Sequence, residues 1–294
     1  MAAIDFGLML RPYDPDLSIN ELLTYNRQCI QALSSGFTTL WLEDHLQWED
    51  SDLLESLTTL TFLAADYPQL HVGTLVLDQS YRNPALLAKM AANLQILTAG
   101  RFVLGIGAGW KEDEYRAYGY PFPDTKMRID QLEEVIKIIR TMWSQRPATF
   151  IGKYHQVRDA YCAPHPSPKI PLLIGGGGEK RILRLVARYA DWWNYNSSTV
   201  EEYAHKLNIL QQHCEEVGRD PAEIRLTYLA TLSVAEDPAR VLRHPQKHYI
   251  AGNAVEVINE LERFRDLGVT HFMFRIPDLE TLQHFVEAVA PHFA

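Results

Sequence analysis

Short runs of apolar and β-branched residues alternate along this chain with longer amphipathic stretches, the pattern of repeated strand–helix units around a parallel sheet. The runs predict strands at 4–10 (IDFGLML), 38–43 (TTLWLE), 70–77 (LHVGTLVL), 101–107 (RFVLGIG), 170–176 (IPLLIGG), 191–196 (DWWNYN), 224–234 and 270–276. Between them the helix signals are local. Ser18 with Glu21 makes a capping box for a helix that should end near Gly36, and Asn83 with Pro84 opens one that Gly100 closes. Asn253 opens another, with Val257, Leu261 and Phe264 on its apolar face and Gly268 as its stop.

Eight such units without a linker or composition shift predict one domain over 1–294, an α/β fold of the (β/α)8 TIM-barrel type rather than an open doubly wound sheet. Residues 147–170 fit neither element type. Two β-like runs flank Gly152-Lys153 and several prolines follow, which predicts an inserted hairpin and an ordered loop.

Composition narrows the partners. The formal net charge of -9 argues against nucleic acid or an anionic membrane surface as a general partner, because both require a basic footprint. Three scattered cysteines indicate no disulfide framework, and the start MAAIDFGLML reads as a strand rather than a secretory signal, so a cytoplasmic protein is expected. Cys162, His165 and His155 lack the second ligand pair of a zinc pattern, so no metal is assigned.

In a barrel of this kind the chemistry sits where strands end, at the carboxyl face. Four strand ends carry candidate groups: LEDH, GTLVLDQSYRNP, GIGAGWKEDEY and IGGGGEKR. Gly105, Gly107 and Gly109 alternate, which does not match the dinucleotide spacing G-x-G-x-x-G, but a glycine loop ending a strand suits a close backbone approach to a ligand. Gly175, Gly176, Gly177 and Gly178 precede Lys180 and Arg181 at a helix start, an arrangement suited to phosphate, although the Walker A pattern is absent. His45 follows Asp44 at the second strand end, and an imidazole there can carry a proton. The acids Glu112, Asp113 and Glu114 read as helix-start residues favoured by the macrodipole.

The segments TTLWLEDH, GTLVLDQSYRNPALLAKMAANLQILTAGRFVLGIGAGWKEDEYRAYGYPF, GKYHQVRDAYCAPHP and PLLIGGGGEKRILRLVARYADWWN, in this order, resemble the bacterial luciferase-like family. Within it they are most similar to oxidoreductases that use the deazaflavin coenzyme F420. The resemblance implies a cofactor in the barrel mouth, coenzyme F420 or alternatively FMN, and hydride transfer to or from a small organic substrate. Its alternatives are an FMN-dependent monooxygenase and a flavin-binding protein without turnover. It implies His45 as the catalytic residue, with Asp44, Leu75, Val76 and Asp78 near the ring and a non-proline cis peptide at Leu75–Val76. Gly107, Ala108, Gly109, Trp110 and Asp113 would line the cofactor, Gly175 to Gly178 with Lys180 would hold its phosphate, and the protein would be a homodimer. Substrate contacts are expected from loops after the first, fourth and sixth strands and from the 147–170 insertion. One departure stands out: enzymes of this group that oxidise glucose 6-phosphate place a glutamate directly after the glycine loop, where this chain has Trp110.

Overall fold

A computed structural model describes residues 3–34 and 36–293. Eight parallel strands close on themselves: β1 (Asp5–Met9), β2 (Phe37–Leu42), β3 (His71–Thr74), β4 (Phe102–Gly107), β5 (Leu172–Gly175), β6 (Trp192–Asn196), β7 (Arg225–Val234) and β8 (Val269–Arg275). Each pairs with the next, and β8 returns to β1 with His271 beside Asp5 and Arg275 beside Met9. The fold is therefore a TIM barrel. A further strand, Tyr249–Gly252, adds in parallel to the outer end of β7, which the periodicity did not signal.

The helices start where their caps predict. Glu21 accepts a hydrogen bond from the Ser18 amide at 2.9 Å, but that helix ends at Gln31, before Gly36. Asn83 Oδ1 accepts from the Ala85 amide at 2.9 Å ahead of the helix Pro84–Leu97, and Asn253 caps Ala254–Asp266 with a complete capping box. The insertion contains an antiparallel hairpin, Ala148–Ile151 with Gln156–Ala160. It packs on the helix Thr125–Ser144 through Glu134, whose carboxylate accepts from the amides of Lys153, Tyr154 and His155.

The third strand departs from its prediction. The run 70–77 is not continuous: β3 stops at Thr74, the Leu75–Val76 peptide is cis, and only Leu77–Asp78 rejoins β4. The interruption turns the Val76 side chain into the barrel. A β-carbon added to Gly107 would lie 2.8 Å from Val76 Cγ2, and one added to Gly175 would lie 3.0 Å from Val76 Cγ1. At Gly105 a β-carbon would lie 2.0 Å from the Thr74 carbonyl oxygen. These glycines are thus required first by the protein's own packing.

Below this layer the barrel is plugged. Trp41 from β2 lies fully buried across Gly7 and Gly73, whose β-carbons would meet its ring at 2.4 and 2.3 Å. Its Nε1–H donates to His271 Nε2 at 3.0 Å, so the His271 proton sits on Nδ1, which donates to Asp5. Burial holds His271 below the usual imidazole value, and Arg225 pairs with Asp5 at 2.7 Å. A neutral, closed floor leaves the carboxyl end as the open face.

Candidate active site

Above the plug lies a cavity of about 360 Å³ at the carboxyl ends of the strands. Leu75, Val76, Leu77 and Leu229 give it an apolar surface, while Asn194, Asn196 and Arg275 supply polar groups from β6 and β8. The size and the one-sided apolar lining suit a flat heteroaromatic ring with polar edges. Gly107, Gly109, Gly175 and Gly176 border it with backbone and no side chain.

His45 is the central polar group. It is buried, its Nδ1 lies 3.0 Å from Glu114 Oε1, and its Nε2 lies 3.5 Å from Glu43 Oε2. Burial alone would push the imidazole down, but hydrogen bonds to Glu114 and Glu43 outweigh it and raise His45 from 6.5 to about 9. The ring is an imidazolium at neutral pH. Burial also opposes ionisation of Glu43, yet His45 and Arg275, the latter at 2.9 Å, lower it to about 2. The result is a buried cation clamped between two acids, its Nδ1 taken by Glu114 and its Nε2 on the side of Glu43, which lines the cavity with it.

Glu114 is fully buried and accepts from Tyr81 Oη at 2.7 Å as well as from His45. It stands in the first helical turn as its sequence reading expected, but it is buried and bonded to His45 and Tyr81 rather than serving the helix dipole alone. In the helix Glu112–Ala117, Glu114 and Tyr115 face inward while Glu112 and Asp113 stay exposed. Asp44, though at the cavity, is committed elsewhere. Its carboxylate takes a bidentate pair from Arg82 at 2.7 and 2.9 Å and accepts from the Asp78 amide at 2.9 Å. Arg82 also binds Glu55, which caps the helix Ser56–Asp66 by accepting from the Thr58 amide at 2.7 Å.

Asp78 accepts from Tyr115 Oη and from the Ser80 amide at 2.8 Å, and burial raises it from 3.8 to about 6 against those bonds. Gly109 sits against the same pair: its φ is +76°, and a β-carbon there would lie 2.1 Å from both Asp78 Oδ2 and Tyr115 Oη.

The cavity gathers Asp44, His45, Leu75, Val76, Asp78 and the loop Gly107, Ala108, Gly109 and Trp110, with Gly175 and Gly176 opposite. Asp113, Gly177, Gly178 and Lys180 lie outside its lining. Asp113 is exposed and paired with Lys111, and the missing side chain of Gly177 makes room for the Tyr195 ring, 2.4 Å from an added β-carbon. Lys180 is exposed, Arg181 pairs with Asp130 at 2.6 Å, and Glu179 between the glycines and these cations is held by Lys206 at 2.6 Å. The 147–170 insertion contributes no lining residue either.

A closed parallel barrel with a polar-edged cavity and a clamped imidazolium at its carboxyl face defines a (β/α)8 enzyme. The profile of the luciferase-like monooxygenases matches residues 8–283, and the chain belongs to that family. A protein of Microbacterium testaceum named F420-dependent glucose-6-phosphate dehydrogenase is 33% identical over 299 residues, covering 88% of each chain. One of the same name from Kineococcus radiotolerans is 33% identical over 221 residues, 73% of this chain and 65% of the relative. Among solved structures, an F420-dependent secondary alcohol dehydrogenase in complex with an F420-acetone adduct superposes with a TM-score of 0.84, covering 99% of both chains at 22% identity. Among the described residues no helix is long and apolar enough to cross a membrane.

Proposed function

We propose that this chain is a coenzyme F420-dependent oxidoreductase acting on a small organic substrate. The observation that carries this reading is the His45 imidazolium, held between Glu43 and Glu114 beside an apolar surface wide enough for a flat ring. The relatives at 33% identity bear names with the same cofactor. Leu75, Val76 and Leu229 would support one face of the ring, and the Gly107–Gly109 and Gly175–Gly176 backbones would border its edges. When bound, the deazaflavin supplies two-electron hydride-transfer chemistry.

The chain's own residues do the rest. His45 is protonated at neutral pH, so in the reducing direction it donates a proton from Nε2 to a substrate oxygen, and in the oxidising direction it stabilises the same oxygen. Glu114 and Glu43 hold the imidazole in orientation and keep it charged. The apolar surface excludes water from the face where substrate would lie. Asp44 acts at one remove, fixing the turn that carries Asp78.

Equilibrium titration of the apoprotein with oxidised F420 and with FMN, followed by tryptophan emission, tests the assignment. Tight F420 binding with weak FMN binding is expected. The reverse preference overturns it and makes oxygen consumption with reduced FMN the next assay. His45→Asn should abolish turnover with F420 binding retained; undiminished turnover removes His45 from the mechanism. We also infer a cytoplasmic homodimer: Phe62, Leu86 and Leu97, at 54%, 55% and 74% exposure on the helices Ser56–Asp66 and Pro84–Leu97, offer apolar surface for a second copy. A monomeric mass by light scattering would rule the dimer out.

A further inference from the structure

One side of the cavity is walled by aromatic rings. Trp110 lines the cavity but is 65% exposed, and its ring stands edge-on to His45 with centroids 5.9 Å apart. Trp48 approaches the same imidazole at 5.0 Å and Trp110 at 6.3 Å. Tyr13, from the loop after β1, stacks behind Trp48 at 4.8 Å and 17°. Three rings therefore fence the proton-bearing group, and the innermost two contact it. An indole left open to solvent at the rim of a cavity is apolar surface that a ligand can cover, and its face favours a second π-system.

Charge sharpens the class. The cations that line the cavity are already matched: Arg275 with Glu43 and Lys111 with Asp113, the latter ammonium also lying 5.0 Å from the Trp48 ring centre. Arg82, just behind the lining, is taken by Asp44 and Glu55. The lining adds the carboxyl groups of Asp78 and Glu114. A phosphate that drew Arg275 away would leave the buried Glu43 carboxylate without that partner, which is costly; Lys111, whose partner Asp113 is exposed, is held more weakly.

Resting on the hydride-transfer reading, we propose that this site selects uncharged, aryl-conjugated carbonyl compounds and that Trp110 selects them by stacking on the conjugated system. The carbonyl oxygen accepts a hydrogen bond from His45 Nε2. When bound and reduced, the deazaflavin would supply the hydride, two electrons with one proton, that adds to the β-carbon of the C=C–C=O unit; as the C=C bond becomes single, the enolate oxygen takes the His45 proton. Tautomerisation through water then moves that proton to the α-carbon, and solvent reprotonates His45. The selection is a matter of shape and charge at the rim, and it also explains why a tryptophan stands where glucose-6-phosphate enzymes place an acid.

The test uses 4-phenylbut-3-en-2-one, cyclohex-2-enone, which has the conjugated carbonyl without the aryl ring, and glucose 6-phosphate. The phenyl ketone should quench tryptophan emission of the apoprotein saturably. Trp110→Ala should weaken that binding at least about tenfold and Trp110→Phe by no more than about threefold, since a smaller ring still stacks. In turnover with F420, Trp110→Ala should lower kcat/KM about tenfold for the phenyl ketone and about twofold for cyclohexenone. Equal losses for both ketones would mean that Trp110 serves the cofactor or the fold, and would overturn the proposal. So would absence of phenyl-ketone binding, or a higher kcat/KM for glucose 6-phosphate. Failure of the wild-type protein to bind F420 sinks the underlying reading instead, and the cofactor titration reads that separately.

Discussion

Replacing Glu114 with Gln isolates the clamp on His45. Glutamine keeps the carbonyl oxygen that accepts from Tyr81, so the buried hydroxyl stays paired while one negative charge 3.0 Å from Nδ1 disappears. The rise of His45 from 6.5 to about 9 corresponds to about 3.5 kcal/mol of preference for the charged ring, at about 1.4 kcal/mol per tenfold. Glu114 stands ahead of Glu43 among the groups that hold the ring charged against burial, so its loss should bring the imidazole well down toward its ordinary value. Because the folded-state value lies above that of free imidazole, the stabilisation is complete below pH 6.5 and is lost as pH rises through about 9. The wild-type melting temperature should therefore fall between pH 6.5 and pH 10, and the Glu114→Gln profile should begin its fall at the same pH, end it earlier and fall less. Histidine-selective NMR titration reads the group directly. A wild-type His45 that titrates near 6.5, or a value that Glu114→Gln does not move, would refute the clamp.

Three further outcomes follow from contacts described above. Arg82→Met leaves the fully buried Asp44 carboxylate without its bidentate partner and should cost about 3–5 kcal/mol in denaturant unfolding; a loss under about 1 kcal/mol would show that water or another cation replaces it. Asp78→Asn should stabilise the protein at pH 8 and leave it unchanged near pH 3, because burial raises Asp78 to about 6 and makes its charged form the costly one above that pH. Identical pH profiles for the two proteins would contradict it. Gly109→Ala should be strongly destabilising, since φ is +76° and the added carbon meets Asp78 and Tyr115 at 2.1 Å; a soluble variant with an unchanged melting temperature would show that the loop can shift.

The barrel was legible because its signals are local. Each of the eight predicted strands overlaps an observed one, and Asn83 and Asn253 cap the helices they predict, since apolar runs and caps act within a few residues. The run 70–77 misled because its continuous apolar pattern does not register a break at Leu75–Val76. Much of the cavity lining was readable from position: His45, Asp78 and Gly107–Trp110 end strands on the open face. Glu114 was not, because its role depends on a residue 69 positions earlier in the chain, and a first-turn acid in a helix is ordinarily solvated. Lys180 and Asp113 went the other way. Their residue types suited a ligand, but one is exposed beyond the lining and the other is occupied by Lys111.

The Val76 knob has an evolutionary consequence. Its methyl groups fill space vacated by glycines on two different strands, β4 and β5, so the identity of position 76 is coupled to positions 107 and 175 although they are far apart in sequence. A side chain at 107 is opposed while valine stands at 76, and one at 175 needs the same valine to give way by a few tenths of an ångström, so a smaller residue at 76 eases both changes. The apolar wall of the cavity is thus epistatically coupled, whereas Tyr13, Trp48 and Trp110 at its rim border no such glycine pair.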